Sequence, residues 1–462
     1  MSTRELSADA TRRLRTEVDG QLVEPGDEGY EAARTVWNER VDKHPAAVVR
    51  SSGPADVVAA VAFARERDIP LSVKGGGHHL AGTAVVDDGL VIDMSMLDGV
   101  DIDAEARRAT VGAGATWGEF YEAAAGSGLT TAGGVHPGTG VAGLTLGGGL
   151  GLLGRKHGLT VDNLVGATVV TADGRIVRAA ADENSDLFWA LRGGGGNFGV
   201  VTEFEFRLHD IGPEVVGGKR LYAYREPAAM LRAYRSVMAD APDELMCMAG
   251  VRSMPPHPRI PEPVRGTEAF TLLTCFAGPT DAADEALEAL GELGDPLVDG
   301  VRPRSYTGLV EEQSVPDDYH WYSKARYLDE LTDDAIDTIA SCTESPPPEF
   351  SRVTLEPMGG AISRVDDDET AFAHRDAGYS FSVWTGWTEP ALEQQHVEWT
   401  RAFHDAMEPH ATDGVYLNYL DRDDGGRVGD AFGGHGARLR EIKDRWDPDG
   451  LFRIDRGMES RG

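Results

Sequence analysis

Three glycine-dense runs stand out as the residues able to do chemistry: Lys74 to Gly82 (KGGGHHLAG), Gly133 to Gly154 (GGVHPGTGVAGLTLGGGLGLLG) and Arg192 to Gly199 (RGGGGNFG). Backbone without Cβ atoms can turn successive N–H groups onto one anion, as phosphate-binding nests do. Three such runs in one region predict a long phosphorylated ligand such as a dinucleotide. Flexible linkers are the competing explanation, but the runs alternate with strand-like segments and carry no serine-rich flanks. Two look-alike motifs fail on context. Gly149-Leu-Gly151-Leu-Leu-Gly154 satisfies G-x-G-x-x-G, yet no β-branched strand precedes it and no βαβ unit surrounds it. Gly154-Arg155-Lys156-His157 ends like a P-loop without the required Ser or Thr after the lysine. Neither ATP nor NAD is favoured.

The elements that must position these runs are legible in outline. Residues 1–40 read as a polar, helical lead-in. From Val41 to about 211, short β-rich segments alternate with helices. Val57, Val58, Val61 and Ala64 recur at helical spacing, which predicts a helix over Asp56–Arg67. Leu90–Ser95 and Arg107–Gly114 read as strands, Thr116 and Glu119 as a capping box, and Asn163–Ala179 as a hairpin turning at Ala172-Asp173-Gly174. Residues 212–410 carry longer strands and helices with acidic first turns, two of them starting at Thr280 and Thr332, with loops at Pro255–Pro263 and Pro346–Pro348. Residues 411–462 regain dense motifs and are expected to return to the first domain. The predicted fold is α+β: an N-terminal domain, a central domain of antiparallel sheet covered by helices, and a closing tail.

The chain has 462 residues, 41% of them apolar, enough for sizeable cores in two domains. Its formal charge is −33, from 77 acidic and 44 basic residues, which repels nucleic acid and anionic membrane. Lysine is nearly absent, a composition suited to a halophile's cytoplasm; a merely acidic mesophilic enzyme is the alternative. Cys247, Cys275 and Cys342 lie far apart, without the spacing of a disulfide framework or a zinc site, and no metal site is expected. The N-terminus lacks an apolar signal segment, and no run is long enough to span a bilayer.

Six segments together resemble a known family: VKGGGHHLAG, GAGATWGEFY, the glycine run continuing to DNLVGA, DLFWALRGGGGNFGVVTEFEF, YLNYLD and GARLREIKDRWDPDGLF. In this order they are similar to the FAD-linked oxidases with a para-cresol methylhydroxylase-type FAD domain, of the vanillyl alcohol oxidase superfamily. Within it, the closest likeness is to the berberine bridge enzyme group and the bacterial hydroxynicotine and sugar oxidases. The resemblance covers most of 35–210 and returns at 410–455; between them it is thinner.

The resemblance implies roles residue by residue. The family's R-x-G-G-H falls on Lys74, Gly75, Gly76, Gly77 and His78, so His78 takes the place of the histidine bonded to the flavin's benzenoid ring; His79 competes for the role, and Lys74 replaces the usual arginine. A bonded imidazole withdraws electrons and favours hydride acceptance. A second, cysteinyl bond in some members falls on His136, so only one covalent link is expected, and His136 is left with substrate binding, proton handling or structure. Pro137, Gly138, Thr139, Gly140 and Gly143 would follow the cofactor, with Thr139 where residue size bears on oxygen access; Gly147, Gly148 and Gly149 would continue the cradle. Asn163, Gly199 and Val200 would also lie beside FAD.

In Y-x-N-Y-x-D, Asn418 resembles a flavin-edge contact and Tyr416 the tyrosine that removes a substrate proton. A phenol starts near pKa ~10 and needs a nearby cation or donors to act as a base. Lys324 is a candidate for that cation, or else a surface lysine. Of Trp384 and Trp387, one is expected toward the flavin and the other in the core. The implied activity is hydride transfer from a small alcohol, sugar or amine to covalent FAD, with oxygen or another electron acceptor closing the cycle. A catalytically inactive flavin-binding protein is the alternative from another class, and a flavin dehydrogenase using a different acceptor is the nearer one.

Overall fold

A computed structural model of the chain describes residues 6–254, 260–314 and 318–453. Two sheets carry the N-terminal glycine runs. The first has four strands in the order Gln21–Val23, Ala47–Arg50, Leu90–Asp93, Leu71–Lys74; its last three strands run parallel, and the first is antiparallel to its neighbour. Parallel neighbours need a crossover, supplied by the helix Pro54–Arg67. Proline opens that helix, and Val57, Ala60, Val61 and Ala64 form its fully buried stripe. The second sheet has five antiparallel strands, in the order Val100–Asp103, Arg108–Gly112, Val200–Arg207, Leu164–Val170, Ile176–Ala180.

The central region forms one eight-stranded antiparallel sheet. Along it run Val298–Asp299, Val215–Ala223, Thr267–Phe276, Leu245–Met254, Phe350–Pro357, Tyr379–Trp387 and His320–Leu328, with Arg302–Arg304 also pairing to Val215–Ala223. One face is covered by the helices Pro227–Ala239, Asp333–Cys342 and Glu393–Met407, whose Leu231, Tyr234, Ile336, Ile339 and Phe403 join Phe270, Val353, Phe381 and Val383 in one core. The period of two sends the alternate residues Arg252, Thr271, Arg352, Thr354, Glu356, Ser382 and Trp384 to the opposite face, which walls a long cavity. The α+β fold is as the sequence predicts.

The C-terminal segment packs back onto the N-terminal sheets. Leu439 and Ile442 of the helix Gly436–Trp446 belong to the same core as Leu187 and Leu191 of Ser185–Leu191. Buried Lys443 donates to Asp447, to the Phe452 carbonyl and, at 2.6 Å, to the Asn197 carbonyl.

Local signals are realised closely. Thr116 and Glu119 form the capping box, Thr332 caps the helix that follows it, and the hairpin turns where expected. Two details differ. The lead-in contributes the strand Gln21–Val23 as well as helices. At Thr280 a 3-10 turn begins instead, with Pro279 at its cap position and no side-chain cap, before the helix Ala283–Glu288. Part of the Pro255–Pro263 loop lies outside the described residues. Among the described residues, no helix is long and apolar enough to cross a membrane.

Candidate active site

The cavity lies between the glycine runs and the bare face of the central sheet. Gly75, Gly76 and Gly77 leave the edge strand Leu71–Lys74 and meet the second run directly. A Cβ on Gly76 would fall 2.4 Å from the Gly140 nitrogen, and one on Gly140 would fall 2.4 Å from the Gly76 nitrogen. Only glycine at both positions allows this backbone contact, so the first two runs form one continuous cradle. The third run adds Gly195, Gly199 and Asn197 to the lining.

Asn197 is 4% exposed; its amide nitrogen donates to the Gly194 carbonyl, while its Oδ1 is buried without a partner among the described residues. Such an acceptor requires a donor from whatever fills the cavity. Nothing in the sequence reading singled it out, although it sits inside the third glycine run.

His78 faces the cavity between two aromatic neighbours. Trp37 stacks on it at 5.2 Å between centroids and 13° between planes, and itself stacks on Trp321 at 5.1 Å. His136 lies tilted against the other side at 5.0 Å. Burial, and next the neighbouring His136, push His78 down to about 3, so its imidazole is neutral at working pH. Asn38 secures this stack: its amide donates to the Leu80 and Trp321 carbonyls at 3.0 Å, and its oxygen accepts the Trp321 N–H at 2.8 Å.

His79 is differently engaged. Its Nδ1 accepts the Ala81 N–H at 3.3 Å, and the ring is hydrogen-bonded to the Leu417 backbone; burial outweighs that bond and pushes its pKa down to about 4.

Tyr416 closes the cavity from the C-terminal segment. Its hydroxyl oxygen accepts the Gly149 N–H at 2.9 Å, the Leu150 N–H at 3.2 Å and the Asn418 amide at 2.9 Å. Gly149 adopts φ +89°, and a Cβ on Gly147 would fall 2.1 Å from Asn418 Oδ1, so the glycines shape the seat of this phenol. Tyr419 stands edge-on to Tyr416 at 4.9 Å and donates to both oxygens of Glu356 at 3.0 Å. Trp384 stands edge-on to Tyr419 at 5.4 Å and lines the cavity, while Trp387 is fully buried against His396.

Of the residues expected at the site, the cavity lining brings together Gly75, Gly76, Gly77, His78, His79, His136, Thr139, Gly140, Gly143, Gly147, Gly199, Val200, Tyr416 and Asn418. Gly138 packs behind His78, where a Cβ would come within 3.0 Å of Nε2, and its N–H donates to His136 Nδ1 at 3.2 Å. Pro137 packs against Gly118, Gly148 against Phe372, and Gly149 serves through its N–H to Tyr416.

Three residues lie away from the lining. Lys74 points to the other side of its strand, where Nζ donates to the Ala33 carbonyl at 2.9 Å and faces Asp93 at 4.0 Å. Asn163 is buried, donating to the His157 and Leu159 carbonyls and bonded to His209. Lys324 is neither a pocket cation nor a surface lysine. It shares its strand face with Tyr322 and Leu328, and its Nζ bridges Asp423 and Asp424 at 2.5 and 2.7 Å. The alternation that turns Trp321 to the cavity turns Lys324 away from it.

A glycine cradle, a neutral histidine in its lining and a phenol held by three donors define a nucleotide-cofactor oxidoreductase site, and the backbone donors and the unpartnered Asn197 Oδ1 fit FAD in donor chemistry. Family models agree: residues 45–180 match an FAD binding domain and 415–459 match the berberine and berberine-like family. An FAD-linked oxidoreductase of Bacillus subtilis, YvdP, is 30% identical over 96% of this chain and 98% of its own. The (R)-6-hydroxynicotine oxidase of Paenarthrobacter nicotinovorans is 33% identical over 63% of this chain and 62% of its own. The crystal structure of 6-hydroxy-D-nicotine oxidase from Arthrobacter nicotinovorans superposes with a TM-score of 0.86 at 27% identity, covering 96% of this chain and 98% of that one. The chain belongs to the FAD-linked oxidoreductases of the berberine bridge enzyme-like family, and it is an FAD-dependent enzyme.

Proposed function

We propose that this enzyme oxidises a small organic substrate at a C–H bond beside a hydroxyl or amine, with FAD attached through His78, Tyr416 as proton acceptor, and molecular oxygen or another acceptor restoring the cofactor. The flavin, when bound, accepts the hydride. One relative is a hydroxynicotine oxidase, which supports an amine or alcohol as the oxidised group. In this reading residues 41–211 and 411–462 hold the cofactor, and 212–410 shape the substrate chamber.

The observation that carries the reading is the hydroxyl of Tyr416 held by three N–H donors. Each donor favours the phenolate, which is the form able to take a proton from substrate. Neutral His78 keeps a ring lone pair for a bond to carbon, while the bonds of His79 commit that ring to structure; both support His78 as the tether. The acid-rich, lysine-poor sequence supports a salt-rich cytoplasm. The test is anaerobic mixing with panels of alcohols, sugars and amines. A substrate that bleaches the flavin absorbance in the native protein should do so far more slowly in Tyr416→Phe, and readmitted air should yield hydrogen peroxide. A protein that no member of the panel bleaches would contradict the reading.

A further inference from the structure

The bare face of the central sheet carries a charge pattern that hydride chemistry alone does not require. Lys219, Arg252 and Arg352 all line the cavity, on three different strands. Arg252 and Arg352 are directly opposite each other in register, an arrangement in which like charges repel. Among the described residues, neither guanidinium makes a hydrogen bond or an ion pair, and the Nε of each is buried without a partner. Each guanidinium lies over an aromatic ring instead: the Arg252 Cζ is 5.6 Å from the Phe350 centroid and the Arg352 Cζ is 5.1 Å from that of Trp384. Among the described residues Lys219 donates only to the Glu312 backbone carbonyl, at 3.1 Å; the Glu312 carboxylate is taken by Arg304 at 2.5 Å.

Among the described residues the one carboxylate lining this wall is Glu356, which acts on Arg352 through its field but makes no ion pair with it. It is 6% exposed, and its oxygens are occupied by the Tyr419 hydroxyl and, at 3.2 Å, the Ser380 hydroxyl. Burial pushes Glu356 up, toward its neutral form. Burial, and then Arg252 and Arg352, push Lys219 down to about 7, outweighing the upward pull of Glu312. The protein has a formal charge of −33, yet among the described residues no acidic side chain hydrogen-bonds or ion-pairs with these three cations; Glu356 and Glu312 act on Arg352 and Lys219 only through their field. The FAD cradle lies on the opposite wall, among the N-terminal glycine runs.

We infer that Lys219, Arg252 and Arg352 form a receptor for a carboxylate on the substrate, so that the enzyme oxidises a small organic acid bearing an alcohol or amine. Two planar guanidinium forks match a carboxylate's two oxygens, and the flanking rings suit an apolar body between the acid and the oxidised carbon. The chain of contacts Arg352, Trp384, Tyr419, Tyr416 sets the anchor a fixed span from the proton acceptor. The inference rests on the proposed function, because it takes this cavity as the substrate chamber.

The test is calorimetric titration of the purified holoenzyme, at fixed salt, with benzoate and with its neutral isostere benzamide. Benzoate should bind at least about tenfold tighter, since hydrogen bonds to a charged partner are the strong ones. Arg252→Gln and Arg352→Gln should each remove most of that preference while leaving benzamide affinity and flavin content unchanged. Equal affinity for the two probes, or a preference that survives both variants, overturns the receptor. So does loss of flavin in the variants with the preference intact, which would assign the cations to the cofactor. A colourless protein that still prefers benzoate refutes the flavin enzyme and not the receptor; a yellow one with no preference does the reverse.

Discussion

The Asn418 amide nitrogen donates to the Tyr416 hydroxyl at 2.9 Å and to the Leu144 carbonyl at 3.0 Å, so a single asparagine ties the phenol to the glycine-rich segment beside it. Burial pushes Tyr416 up to about 12, against the downward pull of the Leu150 and Gly149 N–H groups and Asn418. A base must be deprotonated to take a proton, so the anaerobic rate constant for flavin bleaching should climb with pH through the neutral and alkaline range. Tyr416→Phe should lower that rate about 10²–10⁴-fold and flatten the profile. Flavin content should not change. A profile that keeps its slope in the variant would assign the proton to another group.

The adjacent histidines predict opposite phenotypes. His79 joins the cofactor loop to the C-terminal segment through Leu417, and burial holds it neutral at about 4. Its folded pKa is depressed, so protonation in acid opposes the fold. His79→Ala should retain attached flavin yet lose about 1–3 kcal/mol, the range for a buried partner left unpaired. Thermal melting read beside flavin content checks this. Loss of the attachment in His79→Ala, with no fall in melting temperature, would exchange the roles of the two residues.

Lys324 predicts a stability effect with little direct effect on chemistry. Burial raises Asp423, but its hydrogen bonds with Lys324, Arg401 and Tyr322 outweigh that and hold it well below the usual carboxylate range. A depressed carboxylate contributes stability above its unfolded pKa near 4, lost as pH falls through the folded value. Lys324→Met leaves Asp424 buried and unpaired and should cost about 3 kcal/mol. The acid limb of unfolding, followed by circular dichroism, should begin at higher pH in the variant than in the native protein. Coincident acid limbs would contradict the role given to this bridge.

What was legible in the sequence was local or motif-borne. The Thr116–Glu119 capping box, the Thr332 cap and the Leu164–Ala180 hairpin depend on a few neighbouring residues, and each appears where expected. The cradle was legible because glycine runs have few other uses. Facing directions were not. Lys324, in HWYSKARY, reads equally well on either face of a strand, and only the burial of Trp321 and Tyr322 on opposite sides decides it. Lys74 was misplaced for the same reason. The cations of the cavity wall were invisible because Arg252 and Arg352, a hundred positions apart, meet only through strand register.

The charge of the surface predicts a salt response. None of the six lysines is exposed; each holds carbonyl or carboxylate groups within the fold, so arginine supplies the surface cations. Raising KCl from about 0.1 M to about 2 M shortens the screening length to a few Å and relieves acidic self-repulsion. The melting temperature should rise over that range. A flat or falling response would place the protein with acidic mesophilic enzymes.

A bond between FAD and His78 should survive acid precipitation of the purified protein. The yellow colour should stay in the pellet, a flavin-bearing peptide should contain His78, and His78→Ala should release its colour to the supernatant. Colour that leaves the native protein on precipitation, or that remains with the His78→Ala pellet, would contradict it.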